Sequence, residues 1–247
     1  MSGHSKWATT KRKKARIDGA RAKVFNRILR EITVAARLGG SDQDGNPRLR
    51  SAVLKAKGAN MPAKNIETAI AKGAGELDGV LYSEITYEGY GPAGTAIMID
   101  TMTDNKVRTV AEIRNIFTKA GGNMGAEGSV AWMFKSKGII TLAKDAIGED
   151  ALFELVTDAG ADDLDSSGTE YEIKVEPNHF HALLEALQAN KLTPIISEVV
   201  KVADNMVKVT GPEVEKVLNL LEALDDQDDV QNVHTNADLD QKEMESL

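Results

Sequence analysis

The chain is 247 residues long, 42% hydrophobic and 28% charged, with a formal net charge of −8 and no cysteine. That composition predicts an ordinary globular protein of one large or two to three small domains, and it excludes disulfides, thiolate nucleophiles and cysteine-based zinc sites. No apolar run reaches 18 residues and no apolar segment follows the positive N-terminus, so the expected address is cytoplasmic, with no membrane partner.

The charge is unevenly divided. Through Gly75 seventeen Lys or Arg stand against five Asp or Glu, whereas beyond it thirteen stand against thirty-three. Ten of the basic residues fall within the first thirty positions, where Asp18 is the single acid. This partition predicts a basic module that meets polyanions, carried on an acidic body that repels them.

In chain order, residues 18–38 read as a helix, because Val24, Phe25, Ile28, Leu29, Ile32, Ala35 and Ala36 recur at three- and four-residue spacing and Gly39–Gly40 follow. Arg16, Lys23, Arg30 and Arg37, spaced by seven, form a stripe with Arg27 beside it, predicted to face solvent. Two shorter helices follow, starting at Pro47 and Pro62 and stopped by Gly58 and Gly73, with Asn46 as the first N-cap. Residues 18–72 therefore read as a small three-helix domain.

Past a linker at 73–79 the pattern changes. ITYEGYGP and TAIMIDTM read as strands, VRTVAEIRNIFTKAGG as a helix, and SVAWMF as another strand. From Gly138 the order strand, helix, two strands, helix, strand is the ferredoxin-like βαββαβ sequence. The remaining strand, helix and strand are short for an independent core and are expected to complete the sheet begun near residue 80. The predicted fold class is α+β and multidomain: a basic helical domain at 1–75, a middle α/β domain made of 76–134 plus 204–240, a ferredoxin-like domain at 135–203 inserted into it, and a tail at 241–247.

Familiar catalytic and phosphate-loop signatures are missing, so no catalytic residue, no metal ligand and no cofactor is assigned. GGNMGAEGSV, residues 121–130, follows a helix and leads into a strand, the reverse of the order that cradles phosphate, and reads as turn glycines. Two acidic loops imitate a calcium site, but Val53 and Lys174 stand at the closing position that needs a bidentate carboxylate. His179 and His181 are two apart and share no helix face. Asp225, Asp226, Asp228 and Asp229 read as a solvated helix end.

The chemistry that remains is electrostatic. Lys11, Arg12, Lys13, Lys14 and Arg16, the stripe Lys23, Arg27, Arg30 and Arg37, and the charges Arg48, Arg50, Lys55, Lys57 and Lys64 are candidates for phosphate contacts, joined by His4, Lys6 and Trp7 ahead of the basic run. Trp7 is suited to stack on an exposed base and equally to pack on the first helix. The pair 47–58 and 62–72 resembles a helix-turn-helix in outline, with Lys64, Asn65 and Glu67 at the start of its second helix.

GHSKW at 3–7, VFNRILREI with ARLGG, NPRLR at 46–50, YEGYGP at 87–92, DN with RT at 104–109, GGN with GSVAWMF to 134, and DDVQNVHTN near the end occur in order. Together they are similar to the YebC/PmpR family, which includes the mitochondrial translational activator of cytochrome c oxidase. The resemblance implies a three-domain, non-enzymatic protein. It implies a DNA-binding transcriptional regulator or, alternatively, a ribosome-associated factor that touches ribosomal RNA and relieves stalling at proline-rich stretches. Expected partners are thus DNA, ribosomal RNA, or both; the oligomeric state is left open. Arg12 stands where many members have His, and Ala20 where many have Lys.

Overall fold

The computed structural model describes residues 19–239. The tail expected at 241–247, like the basic run before residue 19, lies outside them.

Among the described residues three helices come first: α1 (Gly19–Gly39), α2 (Pro47–Gly58) and α3 (Ala63–Ala74). Ile28, Ile32, Ala35 and Ala36 of α1 close on Leu49, Ala52, Val53 and Ala56 of α2 and on Ile66 and Ala69 of α3, with Met61 between them. This apolar cluster draws only on the helical domain. Asn46 caps α2 as expected: its Oδ1 accepts from the Leu49 amide, and its buried Nδ2 donates to the Ala35 and Gly40 carbonyls.

The glycine expected to stop the third helix does something else. Gly73 lies inside α3, where a Cβ would sit 2.4 Å from the Thr33 carbonyl oxygen of α1, so its missing side chain sets the close approach of the two helices. Gly75, left-handed at φ 81°, ends the helix instead.

The middle sheet has strand order β3-β1-β2-β9, all antiparallel. Its strands are β1 (Ser83–Tyr90), β2 (Ala96–Thr103), β3 (Asn123–Met124) and β9 (Val230–Thr235). Two helices, α4 (Lys106–Lys119) and α7 (Pro212–Asp226), contribute Ile113, Phe117, Val217, Leu221 and Leu224 to a core with Ile97 and Ile99 of β2 and Val233 of β9. A parallel pair, β8 (Val207–Val209) with β10 (Ala237–Leu239), borders it.

Between the two halves of this sheet lies a second one, β5-β6-β4-β7, formed by β4 (Phe134–Ala143), β5 (Ala161–Asp165), β6 (Glu170–Val175) and β7 (Ile196–Ala203). With α5 (Glu149–Asp158) and α6 (Phe180–Ala189) in the crossovers, this is the ferredoxin-like arrangement, and Ile140, Leu142, Ile173, Val175, Leu152, Leu183 and Leu187 fill its core. The α+β class read from the sequence is the observed one.

SVAWMF is not a strand. Residues Ala131–Met133 form a 3-10 turn, and the strand starts at Phe134. The physical reason is Glu88 of β1, whose carboxylate accepts from the amides of Gly128 (2.7 Å), Val130 (2.7 Å) and Ala131 (2.8 Å). Amides committed to a buried carboxylate are lost to a ladder. Burial pulls the Glu88 pKa up, but these three amides outweigh it and hold the carboxyl below its usual range.

Candidate nucleic-acid interface

His4, Lys6, Trp7, Lys11, Arg12, Lys13, Lys14 and Arg16 lie outside the described residues, which leaves the basic positions from Lys23 onward to be placed.

The stripe on α1 does not face solvent as its spacing predicts. Lys23 Nζ is 2.8 Å from the Asp226 carboxylate. Arg27 makes a 3.1 Å ion pair with Asp225 and donates to the Asp225 carbonyl. Arg30 donates to the Asp228 carbonyl (2.5 Å), the Asp229 carboxylate (3.1 Å) and the Met102 carbonyl (3.3 Å), and its guanidinium lies 5.3 Å from the Tyr82 ring centroid. Arg37, more exposed, donates to the Tyr82 carbonyl at 2.7 Å.

The acidic segment 225–229 is correspondingly not just a solvated helix end. It is the terminus of α7, where unpaired carbonyls and the negative end of the helix dipole add to the carboxylates and draw the cations of α1. The opposite face of α1 is apolar and committed to α2 and α3, so the charged face meets the body.

Arg48 is also taken. Its guanidinium bridges Glu31 of its own domain (2.7 Å) and Glu84 of β1 (2.6 Å), and these two carboxylates, Glu31 the stronger, raise its pKa further. Exposed Arg50 donates to the carbonyls of Gln43 and Asp44. Lys55, Lys57 and Lys64 differ: all three are exposed, and none has an ion pair with a described residue. They sit at the end of α2 and the start of α3, with Lys72 further along α3 exposed in the same way.

A second constellation was not visible as a site in the sequence. The carboxylate of Asp229, 1% exposed, receives Arg108 at 2.7 Å, Thr109 Oγ1 at 2.7 Å, Thr103 Oγ1 at 3.2 Å and Arg30 at 3.1 Å. Burial raises its pKa, but Arg108, Thr109 and Arg30 together overcome that and lower it. Asn105 caps α4 by accepting from the Arg108 amide, and Asp104 pairs with the Arg108 guanidinium. The DN and RT residues of the sequence motif are thus a helix cap and the partners of Asp229. An open cleft of about 540 Å³ runs beside them, lined by Arg30, Tyr82, Asp104, Arg108, Asp226 and Asp228 among others.

A third joins the two α/β domains. Asp100 of β2 accepts from Thr86 (2.9 Å), His234 of β9 (3.0 Å) and Lys201 of β7 (3.3 Å). Against the upward pull of burial, the His234 hydrogen bond and charge, then Lys201 and Thr86, bring its pKa down to about 2.

No cluster of three or more His, Asp or Glu side chains among the described residues is arranged to hold a metal. No helix among them is long and apolar enough to cross a membrane.

The chain resembles known proteins over its whole length. A model of the TACO1/YebC N-terminal domain matches residues 5–76, and one of the TACO1/YebC second and third domain matches residues 82–237. A probable transcriptional regulatory protein of Koribacter versatilis is 53% identical over all 247 residues, covering 99% of that protein. Another from Geobacter sulfurreducens is 50% identical, with complete coverage of both chains. Among solved structures, a conserved hypothetical protein from Aquifex aeolicus superposes with a TM-score of 0.81 at 41% identity, over 90% of this chain and 92% of that one. These matches, spanning the helical domain and both α/β domains, place the chain in the TACO1/YebC family.

Proposed function

We propose that the protein is a non-enzymatic, cytoplasmic, DNA-binding transcriptional regulator that grips the phosphate backbone through its N-terminal domain. The observation that carries this reading is the exposed trio Lys55, Lys57 and Lys64, which no described acid neutralises, on a domain whose sequence also supplies the basic run 11–16. The acidic body would keep such a protein from coating DNA indiscriminately. Relatives of like length carry the name of probable transcriptional regulatory proteins, which supports this direction.

One observation favours a second reading. With Lys23, Arg27 and Arg30 held by the body, the contact surface shrinks to the α2–α3 end and the N-terminal segment. That is a small footprint for an operator-binding protein, and it suits the ribosome-associated alternative, in which a basic end touches ribosomal RNA.

Density-gradient sedimentation of cell lysate, with DNase and with RNase as separate treatments, tests both. Under the first reading the protein leaves the DNA-bound fraction on DNase treatment alone. Co-migration with ribosomes that survives DNase selects the second. A protein that stays at the top of every gradient at low salt contradicts nucleic-acid binding altogether.

A further inference from the structure

We infer that the acidic end of α7 is an intramolecular mask for α1: it occupies Lys23, Arg27 and Arg30 as a phosphate backbone would, and nucleic acid displaces it. This rests on the reading that the N-terminal domain binds nucleic acid and adds a closed and an open form to it.

Four features of the contact carry the inference. It is ionic rather than apolar. The apolar clusters of the helical domain and of the middle domain share no residue, so separating the two tears no common core. A contact built from ion pairs and carbonyl hydrogen bonds is one that salt and competing anions weaken.

The ligand geometry is that of an anion site. Arg27 and Arg30 each meet a carboxylate together with a backbone carbonyl, and Lys23 adds a point charge, so three cations converge on a string of oxygens within residues 225–229. Arginine forks and a lysine arranged in this way fit phosphate oxygens equally well.

Opening strands no charge at Asp229 or Asp226. When Arg30 departs, Asp229 keeps Arg108, Thr103 and Thr109. Asp226, with a side chain 81% exposed, is already in water.

The closed form is also imperfect. Arg27 Nε is buried with no hydrogen-bond partner, a loss that release into water or onto a phosphate recovers. The open cleft beside Arg30, Asp226 and Asp228 gives a competing strand a place from which to begin the exchange.

The test uses the full chain, a short labelled DNA duplex and a single-stranded RNA of equal length, each titrated over a range of salt. Asp225→Asn with Asp226→Asn removes two masking charges while keeping side-chain size. Asp150→Asn with Glu154→Gln, on exposed positions of α5, changes the net charge by the same amount elsewhere. The masking variant is expected to bind roughly tenfold more tightly at low salt. Its salt slope should be steeper by about 2 to 3, the contribution of three phosphate contacts, and the control pair should stay close to the unsubstituted protein.

Equal affinities for all three proteins would overturn the mask while leaving nucleic-acid binding intact. Absence of binding by all three would instead overturn the function on which the mask rests. A second readout is independent of affinity. Because the chain has no cysteine, dyes placed at Ser51→Cys and Asn219→Cys report the separation of the helical domain from α7. Energy transfer should fall when the oligonucleotide is added. Binding with unchanged transfer would contradict displacement.

Discussion

Arg108 and Asp229, 121 positions apart in the chain, are joined by a 2.7 Å hydrogen bond from Nη2 to a carboxylate oxygen that is almost wholly buried. Through this bond the start of α4 and the turn between α7 and β9 are tied together, and Arg30 ties the helical domain to the same oxygen pair. Replacing Asp229 by Ala removes the one acceptor shared by two guanidinium groups and two hydroxyls. It is expected to lower unfolding free energy by about 1–3 kcal/mol, the usual cost of taking the acceptor from buried hydroxyl donors. Urea denaturation measures this, and a change below about 1 kcal/mol would show that the network is not a structural centre.

Asp100 contributes to the acid limb of stability beside Glu88 and Asp229, whose carboxyls are also held below their usual range. Its folded pKa of about 2 lies below the ordinary carboxylate value near 3.9, so its contribution is complete above the higher value and is lost as pH falls toward the lower. Urea midpoints followed from pH 5 to pH 2 should drop steeply for the unsubstituted chain and less steeply for Asp100→Asn. Lys201→Met, which removes the contact from β7, should show an intermediate slope. Superimposable profiles for all three would contradict the assignment.

Gly73→Ala places a Cβ against the Thr33 carbonyl and should destabilise the helical domain by roughly 1–3 kcal/mol. Gly58→Ala, at the end of α2 where a Cβ meets nothing within 4 Å, is the matched control. It should be neutral or stabilising by up to about 1 kcal/mol. Thermal melts of both variants separate a packing role for Gly73 from ordinary helix propensity.

Glu88→Ala frees three amides at 128–131 and should loosen the 3-10 turn that carries Trp132, 69% exposed and bonded through its indole to the Ser129 carbonyl. Hydrogen exchange at Gly128, Val130 and Ala131 is expected to rise at least tenfold, with the exchange of β2 unchanged. Equal protection in both proteins would mean that something other than Glu88 holds the turn.

These relationships show what the sequence could and could not reveal. The periodicity of Ile28, Ile32, Ala35 and Ala36 located the C-terminal end of α1 to within a residue, and the βαββαβ order identified the inserted domain, because both signals are local. The stripe of Lys23, Arg27 and Arg30 and the run of aspartates at 225–229 were each plain as charge. Their pairing was not, since nothing local links segments some two hundred positions apart. SVAWMF has the apolar content of a strand, but a carboxylate on β1 claims its amides. Gly73 looked like a helix stop because its true constraint, the Thr33 carbonyl, belongs to another helix. Arg108 stood out only through the family motifs and Asp229 through them and as one of an acidic cluster, and no spacing rule would have joined them.

The proposed function turns on phosphate contacts made by the α2–α3 end of the helical domain. The most direct test compares the full chain with its Lys55→Gln, Lys57→Gln, Lys64→Gln triple variant by titrating both onto a DNA duplex across a range of salt. Three lost phosphate contacts should weaken low-salt binding and flatten the slope of log affinity against log salt by about 2 to 3, with unfolding free energy unchanged because all three side chains are exposed. Identical affinity and slope in the two proteins would contradict the claim.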